Sequence, residues 1–233
     1  MVKYFVGVFI VVLIATAQMV VAQGRVALSY FDLGELRDTV QSPFHFDKED
    51  TPRGRNRWTQ QRYEARIAGV TAVIDSMALP IVVLYGVENE GVVRDIVMAS
   101  SEDYCYLHRE LDYYDGLDFA LLFYGDRLFV EEVVVGGAWL YVLGEISGQR
   151  VAITLVRLAS RISAESPPWA GAEADVMLIM GRLSSDDLQS FGATDLLAGA
   201  ASRGEGNTLG DRGWYFNSGV ALLTDAEGAR AGG

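Results

Sequence analysis

Two residue types that hydrolases lean on are scarce here: the 233-residue chain has two histidines, His45 and His108, and one cysteine, Cys105. A lone cysteine excludes an intramolecular disulfide framework. Set in Tyr104-Cys105-Tyr106, an alternating aromatic stretch, it reads as a small buried residue of a strand. Ser160, Ser184 and Ser185 have no histidine near them, so a nucleophilic triad would lack its proton acceptor. Positive charge is scarce as well, with 19 Lys and Arg against 31 Asp and Glu and a formal charge of −12. Such a chain repels a phosphate backbone, which argues against non-specific nucleic-acid binding, although bound metal ions can neutralise a local field. The sequence contains no P-loop, dinucleotide fingerprint, zinc-ligand cluster, basic stripe or internal repeat.

What is present begins with an apolar leader. Lys3, the run from Tyr4 to Ile14 and the small-residue site Val20-Val21-Ala22 have the layout of a secretory signal peptide over residues 1–22. An uncleaved membrane anchor is the alternative, since Tyr4 to Ala22 is nearly long enough to span. Both place the remainder outside the cytoplasm, periplasmic or secreted. Removing residues 1–22 leaves a charge of about −13. Residues 23–227 suit one domain, half the chain being hydrophobic, and residues 228–233 form a small, Gly-rich tail.

Arg25 to Leu33 alternates as a first strand ending near Asp32, and Gly34 to Arg57 reads as a long surface loop. Trp58 to Met77 carries apolar residues at Tyr63, Ile67, Val70, Val73, Ile74 and Met77, the spacing of an amphipathic helix. Pro80 then opens the β-branched run Ile81-Val82-Val83-Leu84, a strand buried on both faces, and Val92, Val93, Ile96 and Val97 return to helical spacing. Further strands are expected at 104–107, 117–124, 127–135, 139–145, 150–156 and 176–180, with a short helix over 188–197 and a last strand over 214–224.

Several of these stretches resemble the endonuclease/exonuclease/phosphatase family. Trp58-Thr59-Gln60-Gln61-Arg62-Tyr63-Glu64-Ala65-Arg66-Ile67 is similar to a W-T-x-x-R-Y-x-x-K-I run of secreted bacterial members. Gly86-Val87-Glu88-Asn89 with Val92 to Val97, then Gly116 to Leu122, then Ser160-Arg161 follow in the family's order. The resemblance implies an α+β fold, a four-layer α/β sandwich of the DNase I type with two mixed β-sheets face to face and helices outside. In active members it implies a divalent metal held by Asn and Glu, a His, an Asp-x-Asn pair and a terminal Asp-His, because phosphoryl chemistry depends on positioned charge.

The matching positions here carry other residues. Asp32 stands for the Asn, Gly86 for the metal-binding Glu, and Asp115 for a phosphate-facing Arg beside Asp118. Val156-Arg157 replaces Asn-His, and Gly181-Arg182-Leu183-Ser184-Ser185 replaces G-D-F-N-D. Neither His45 nor His108 falls at a catalytic position. The reading is therefore an exported pseudoenzyme, a binding or scaffold protein with no intact catalytic residue and no expected cofactor. Its partner is expected to be a protein or a small phosphorylated ligand, with membrane association only if the leader is retained. The alternative is a metal-dependent phosphodiesterase, nuclease or phosphatase using Mg²⁺ or Mn²⁺ on relocated ligands, Asp32, Glu88 and Asp118 with Glu35 nearby. Arg157 and Arg182 could instead pair with Asp32, Asp115 or Asp118. An aromatic surface of Trp58, Trp139, Trp169, Trp214, Tyr113 and Tyr114 stands beside plain core packing.

Overall fold

The apolar run after Pro80 is the strand β2 (Ile81–Val87), every residue of which is buried. Its two faces serve two cores: Ile81, Val83 and Tyr85 point between the sheets, while Val82, Leu84 and Val87 point at the helices. The computed structural model describes residues 27–162, 166–203, 208–210, 213–215 and 219–223. The leader over 1–22 and the tail over 228–233 lie outside these residues, as does part of the strand expected over 214–224.

One mixed sheet has β2 paired in parallel with β1 (Leu28–Leu36) and antiparallel with β4 (Asp118–Phe123), whose other edge holds β3 (Cys105–Arg109). Two helices, α1 (Gln60–Met77) and α2 (Glu90–Ala99), cover its outer face. Tyr63, Ile67, Val70 and Ile74 of α1 and Val92, Val93 and Ile96 of α2 pack there on Val82, Leu84, Ala120 and Leu122. Each such fully buried aliphatic contributes roughly 1.5–3 kcal/mol, so the helix positions follow from the apolar stripe.

A second mixed sheet runs from β5 (Phe129–Gly136), β6 (Trp139–Ile146) and β7 (Gln149–Val156) to β8 (Val176–Gly181), β12 (Gly219–Leu222) and β9 (Thr194–Asp195). Only the β7–β8 pair is parallel. Leu140, Val142, Ile153, Leu155, Leu178 and Met180 face the first sheet and complete the central core. The outer side packs Val156, Ile179 and Ala221 against Leu183 and Leu188, the latter in α3 (Ser185–Ser190). A further short helix, α4 (Ala198–Ser202), and a ribbon of β10 (Thr208–Gly210) with β11 (Gly213–Tyr215) complete the elements. The architecture is the expected α+β sandwich of two mixed sheets with helices.

Three local expectations are corrected. The first strand does not stop at Leu33: β1 continues to Leu36 through a bulge, its register moving from Asp32↔Tyr85 to Leu36↔Val87. The bulge lets Leu33 and Leu36 both reach the helix-side core. The helix expected over 188–197 begins earlier, at Ser185, because Ser184 and Asp187 form a capping box, and it ends at Ser190. Cys105 is exposed rather than buried, since it is the first residue of the edge strand β3, at the margin of the sheet.

Candidate functional site

The C-terminal ends of β1, β2, β7 and β8 and the start of antiparallel β4 lie at the same end of the sandwich, and they carry the positions singled out in the sequence. Asp32 is on β1, beside Tyr85 of β2 in register. Asp115 precedes β4 and Asp118 opens it, Arg157 follows β7, and Arg182 follows β8.

Two guanidinium–carboxylate pairs fill this end. Arg182 donates from Nε to Asp32 Oδ2 at 2.9 Å and from Nη2 to Asp32 Oδ1 at 3.3 Å. Asp32 also makes a local contact, its Oδ1 accepting from the Gly34 amide at 2.8 Å. Arg157 grips Asp115 with both terminal nitrogens, Nη1 to Oδ1 at 2.5 Å and Nη2 to Oδ2, and Nη1 also donates to the Leu117 carbonyl at 3.1 Å. Fork-to-fork pairing of this kind combines charge with fixed geometry. Burial, the largest single influence, acts to raise the Asp115 carboxyl, but the hydrogen bonds and charge of Arg157 together with the Leu117 amide outweigh it, so the group is held below its ordinary value.

Tyr85 sits between the two cations. Its ring lies 4.7 Å from Arg182 Cζ and 5.8 Å from Arg157 Cζ, and the Arg157 guanidinium stacks on Tyr113 at 3.7 Å. These contacts are cation–π pairs, those of Arg157 largely desolvated and that of Arg182 half-exposed. Burial pushes the Tyr85 phenol up to about 12 against the pull of both guanidiniums. Tyr30, on the same inward face of β1, is raised too, again chiefly by burial, and its buried hydroxyl has no hydrogen-bond partner among the described residues.

Glu88, just beyond β2, belongs to a different cluster. Its Oε2 accepts from the Asp38 amide at 2.8 Å, and its Oε1 lies 3.6 Å from Arg37 Nη1. Both side chains are buried, so Glu88 is not a solvated strand-end charge. Burial dominates and raises its carboxyl to about 7. Arg37 also reaches Glu35 at 3.4 Å and Asp50 at 3.5 Å, which commits Glu35 to this network. Asp118 is held elsewhere again, its Oδ1 accepting from the Leu111 amide at 2.7 Å and its Oδ2 lying 3.3 Å from His108 Nε2.

A divalent ion does not fit this donor set. Asp32, Glu88 and Asp118 each face a partner of their own, and no three His, Cys, Asp or Glu side chains among the described residues gather to hold a metal. Gly86 has a φ of +90°, and a Cβ there would lie 2.3 Å from the Gly34 carbonyl oxygen. A metal-binding side chain at that position is therefore excluded without moving β1. Ser184 is spent on capping α3, its hydroxyl donating to Asp187 Oδ2 at 2.7 Å.

Among the described side chains, which do not include that of Trp214, the tryptophans do not form one surface. Trp58 packs on the helix-side core and donates to the Arg37 carbonyl at 2.8 Å. Trp139 and Trp169 pack on the outer face of the second sheet, Trp169 edge-on to Phe191. Tyr113 and Tyr114 do touch, with ring centroids 4.8 Å apart. Tyr85, Tyr30 and Arg37 were missed in the sequence. The available signal was the period of two: Tyr30 and Asp32 in β1, and Ile81, Val83 and Tyr85 in β2, repeat on alternate positions.

Comparison with known proteins bears on the fold. Residues 27–136 match the sequence profile of the Endonuclease/Exonuclease/phosphatase family. No curated protein sequence matches the chain. Among solved structures it is similar to a humanised TDP2 of D. rerio, with 11% identity over 87% of this chain and 84% of that one and a TM-score of 0.58. It is also similar to a mannosyl-6-phosphatase of Bacteroides thetaiotaomicron, with 9% identity over 84% and 85% of the two chains and a TM-score of 0.57. A functionally unknown conserved protein of Enterococcus faecalis gives 14% identity over 84% and 86%, at a TM-score of 0.52. Identities this low speak to the fold alone.

Proposed function

We propose that this chain, whose fold is similar to that of the endonuclease/exonuclease/phosphatase family, works as an exported, non-catalytic binding or scaffold protein whose ancestral cleft is closed by its own ion pairs. The observation that carries this reading is the pairing of Arg182 with Asp32 and of Arg157 with Asp115 at the strand ends. Metal-assisted phosphoryl transfer needs an ion to polarise the phosphate and a base or metal-bound hydroxide to supply the nucleophile. Here the cations are guanidiniums already neutralised by carboxylates, and the buried histidine, His108, faces Asp118. An Arg–Asp pair keeps the cleft electrically balanced without a dissociable cofactor.

Export of residues 23–233 belongs to the same proposal and rests on the apolar leader; N-terminal sequencing of the protein from culture supernatant or periplasm tests it. No helix among the described residues is long and apolar enough to cross a membrane. Catalysis is tested by incubating the purified chain with a chromogenic phosphodiester and with DNA, in Mg²⁺ or Mn²⁺ and in chelator. Absence of turnover from a cooperatively folded sample is the expected result. Chelator-sensitive turnover would overturn the proposal and point to ligands rebuilt around the cleft.

A further inference from the structure

A departure from the chain's acidity lies outside the cleft, in the loop before α1 and the first turn of that helix. Between residues 48 and 62 stand Lys48, Arg53, Arg55, Arg57 and Arg62 against Glu49 and Asp50. A chain of net charge −12 thus carries a local excess of three positive charges within fifteen residues.

The loop is built rather than loose. Gly54 N–H donates to the Thr51 carbonyl at 3.0 Å, Asn56 to Glu49 at 2.9 Å, Arg57 to Gly54 at 3.1 Å and Trp58 to Thr51 at 3.1 Å. Arg62 ties the end of the turn to the helix, donating from Nη1 to the Arg57 carbonyl at 3.1 Å and stacking on Trp58 at 5.4 Å. At Gly54 a Cβ would lie 2.3 Å from the Lys48 carbonyl oxygen, so the backbones meet at a distance only glycine permits. The knot encloses a concavity of about 580 Å³ lined by Lys48, Arg53, Arg55, Gln41 and Thr51. Glu49 also lines it and reaches Arg55 at 3.4 Å, but both side chains are largely exposed. An exposed pair of this kind is held weakly and gives way to a better anion.

We propose that this concavity is a binding site for a small multiply charged anion, of the phosphoryl or sulfuryl class. Its volume suits a compact ligand, and guanidiniums projecting from a rigid turn match tetrahedral oxyanions in shape and charge. The rest of the surface decides the size. Beyond a Debye length of about 8–10 Å, an extended polyanion would meet the chain's acidic excess, so a nucleic acid or an anionic bilayer is disfavoured. The site shares no residue with the Arg157–Arg182 cluster and stands whether or not that cluster hydrolyses anything.

The test is calorimetric titration of the full chain with inorganic pyrophosphate at low ionic strength, with inorganic sulfate, duplex DNA and phosphatidylserine vesicles as parallel probes. Saturable one-to-one binding of pyrophosphate is expected, weakened at least tenfold in Arg53→Ala/Arg55→Ala. These side chains are exposed, so the variant is expected to keep the wild-type melting temperature. Gly54→Ala leaves every charge in place but displaces the turn, and it should weaken binding several-fold. No saturable pyrophosphate binding, equal affinity in the double variant, or binding to DNA or vesicles with none to pyrophosphate would each overturn the proposal.

Discussion

A glutamate at position 86 would need its Cβ where the Gly34 carbonyl already lies, at a φ of +90°. Gly86→Glu is therefore expected to destabilise the protein by at least about 2 kcal/mol and to confer no Mg²⁺-dependent hydrolysis. Urea unfolding and a phosphodiesterase assay read both effects. The two arginines differ by burial: the Arg157 side chain is 9% exposed and that of Arg182 48%. Arg157→Ala strands the Asp115 carboxylate and should cost roughly 2–4 kcal/mol, whereas Arg182→Ala should cost under about 1 kcal/mol. Equal effects in chemical denaturation would show that burial does not set the worth of these pairs. Glu88 makes a pH prediction. Its carboxyl titrates at about 7 in the folded chain, chiefly through burial, against 4.5 ordinarily. Between those values the folded state keeps a proton that the unfolded chain has lost, so this contribution is full below pH 4.5 and disappears as pH rises through 7. The hydrogen bond from the Asp38 amide and the charge of Arg37 offset part of the cost, and the carboxylates of Asp38 and Asp47 add to it. The span is about 1–3 kcal/mol, and Glu88→Gln should flatten the loss of stability between pH 5 and pH 8 by that amount.

Caps and turns decide which elements were readable in the sequence. The hairpin of β6 and β7 was legible to within a residue because Ser147-Gly148 is a two-residue turn between alternating runs, closing at Ile146↔Gln149. The helix α3 was misplaced because its expected range began at Leu188, downstream of the Ser184–Asp187 box that starts the helix. The bulge in β1 was hidden for a different reason: polar Gly34, Glu35 and Arg37 look like a loop, and only pairing with β2 shows that Leu36 is buried. At the C-terminus of α1, Ala78 adopts a left-handed conformation with φ 45° while its N–H caps the Ile74 carbonyl. That conformation costs an L-residue roughly 1–2 kcal/mol, and the Ala78 side chain is exposed. Ala78→Gly should therefore stabilise the protein, by about 0.5–1 kcal/mol after the entropy of the added glycine, which a thermal melt would register as a rise of a few degrees.

At the scale of the whole molecule, the sandwich was legible because its two cores are written as runs of alternating and periodic apolar residues. The contents of the cleft were legible only as substitutions. Which arginine meets which aspartate depends on contacts spanning 150 and 42 residues, and Tyr85 between them is invisible to any local pattern. The arrangement makes a prediction about where stability comes from. A fold that relied on a metal to neutralise Asp32, Asp115 and Asp118 would be stabilised by that metal in proportion to its occupancy, by about 2.7 kcal/mol at one hundred times the dissociation constant. In a domain of this size that is a rise of roughly 5–10 °C in melting temperature. Here Arg182, Arg157 and the backbone of Leu111 already serve those carboxylates. The melting temperature is therefore expected to be the same, within about one degree, in 10 mM MgCl₂, 1 mM MnCl₂ and excess chelator at matched ionic strength. A rise of several degrees with either metal, abolished by chelator and by Asp32→Asn, would mean that the guanidiniums yield their carboxylates to an ion.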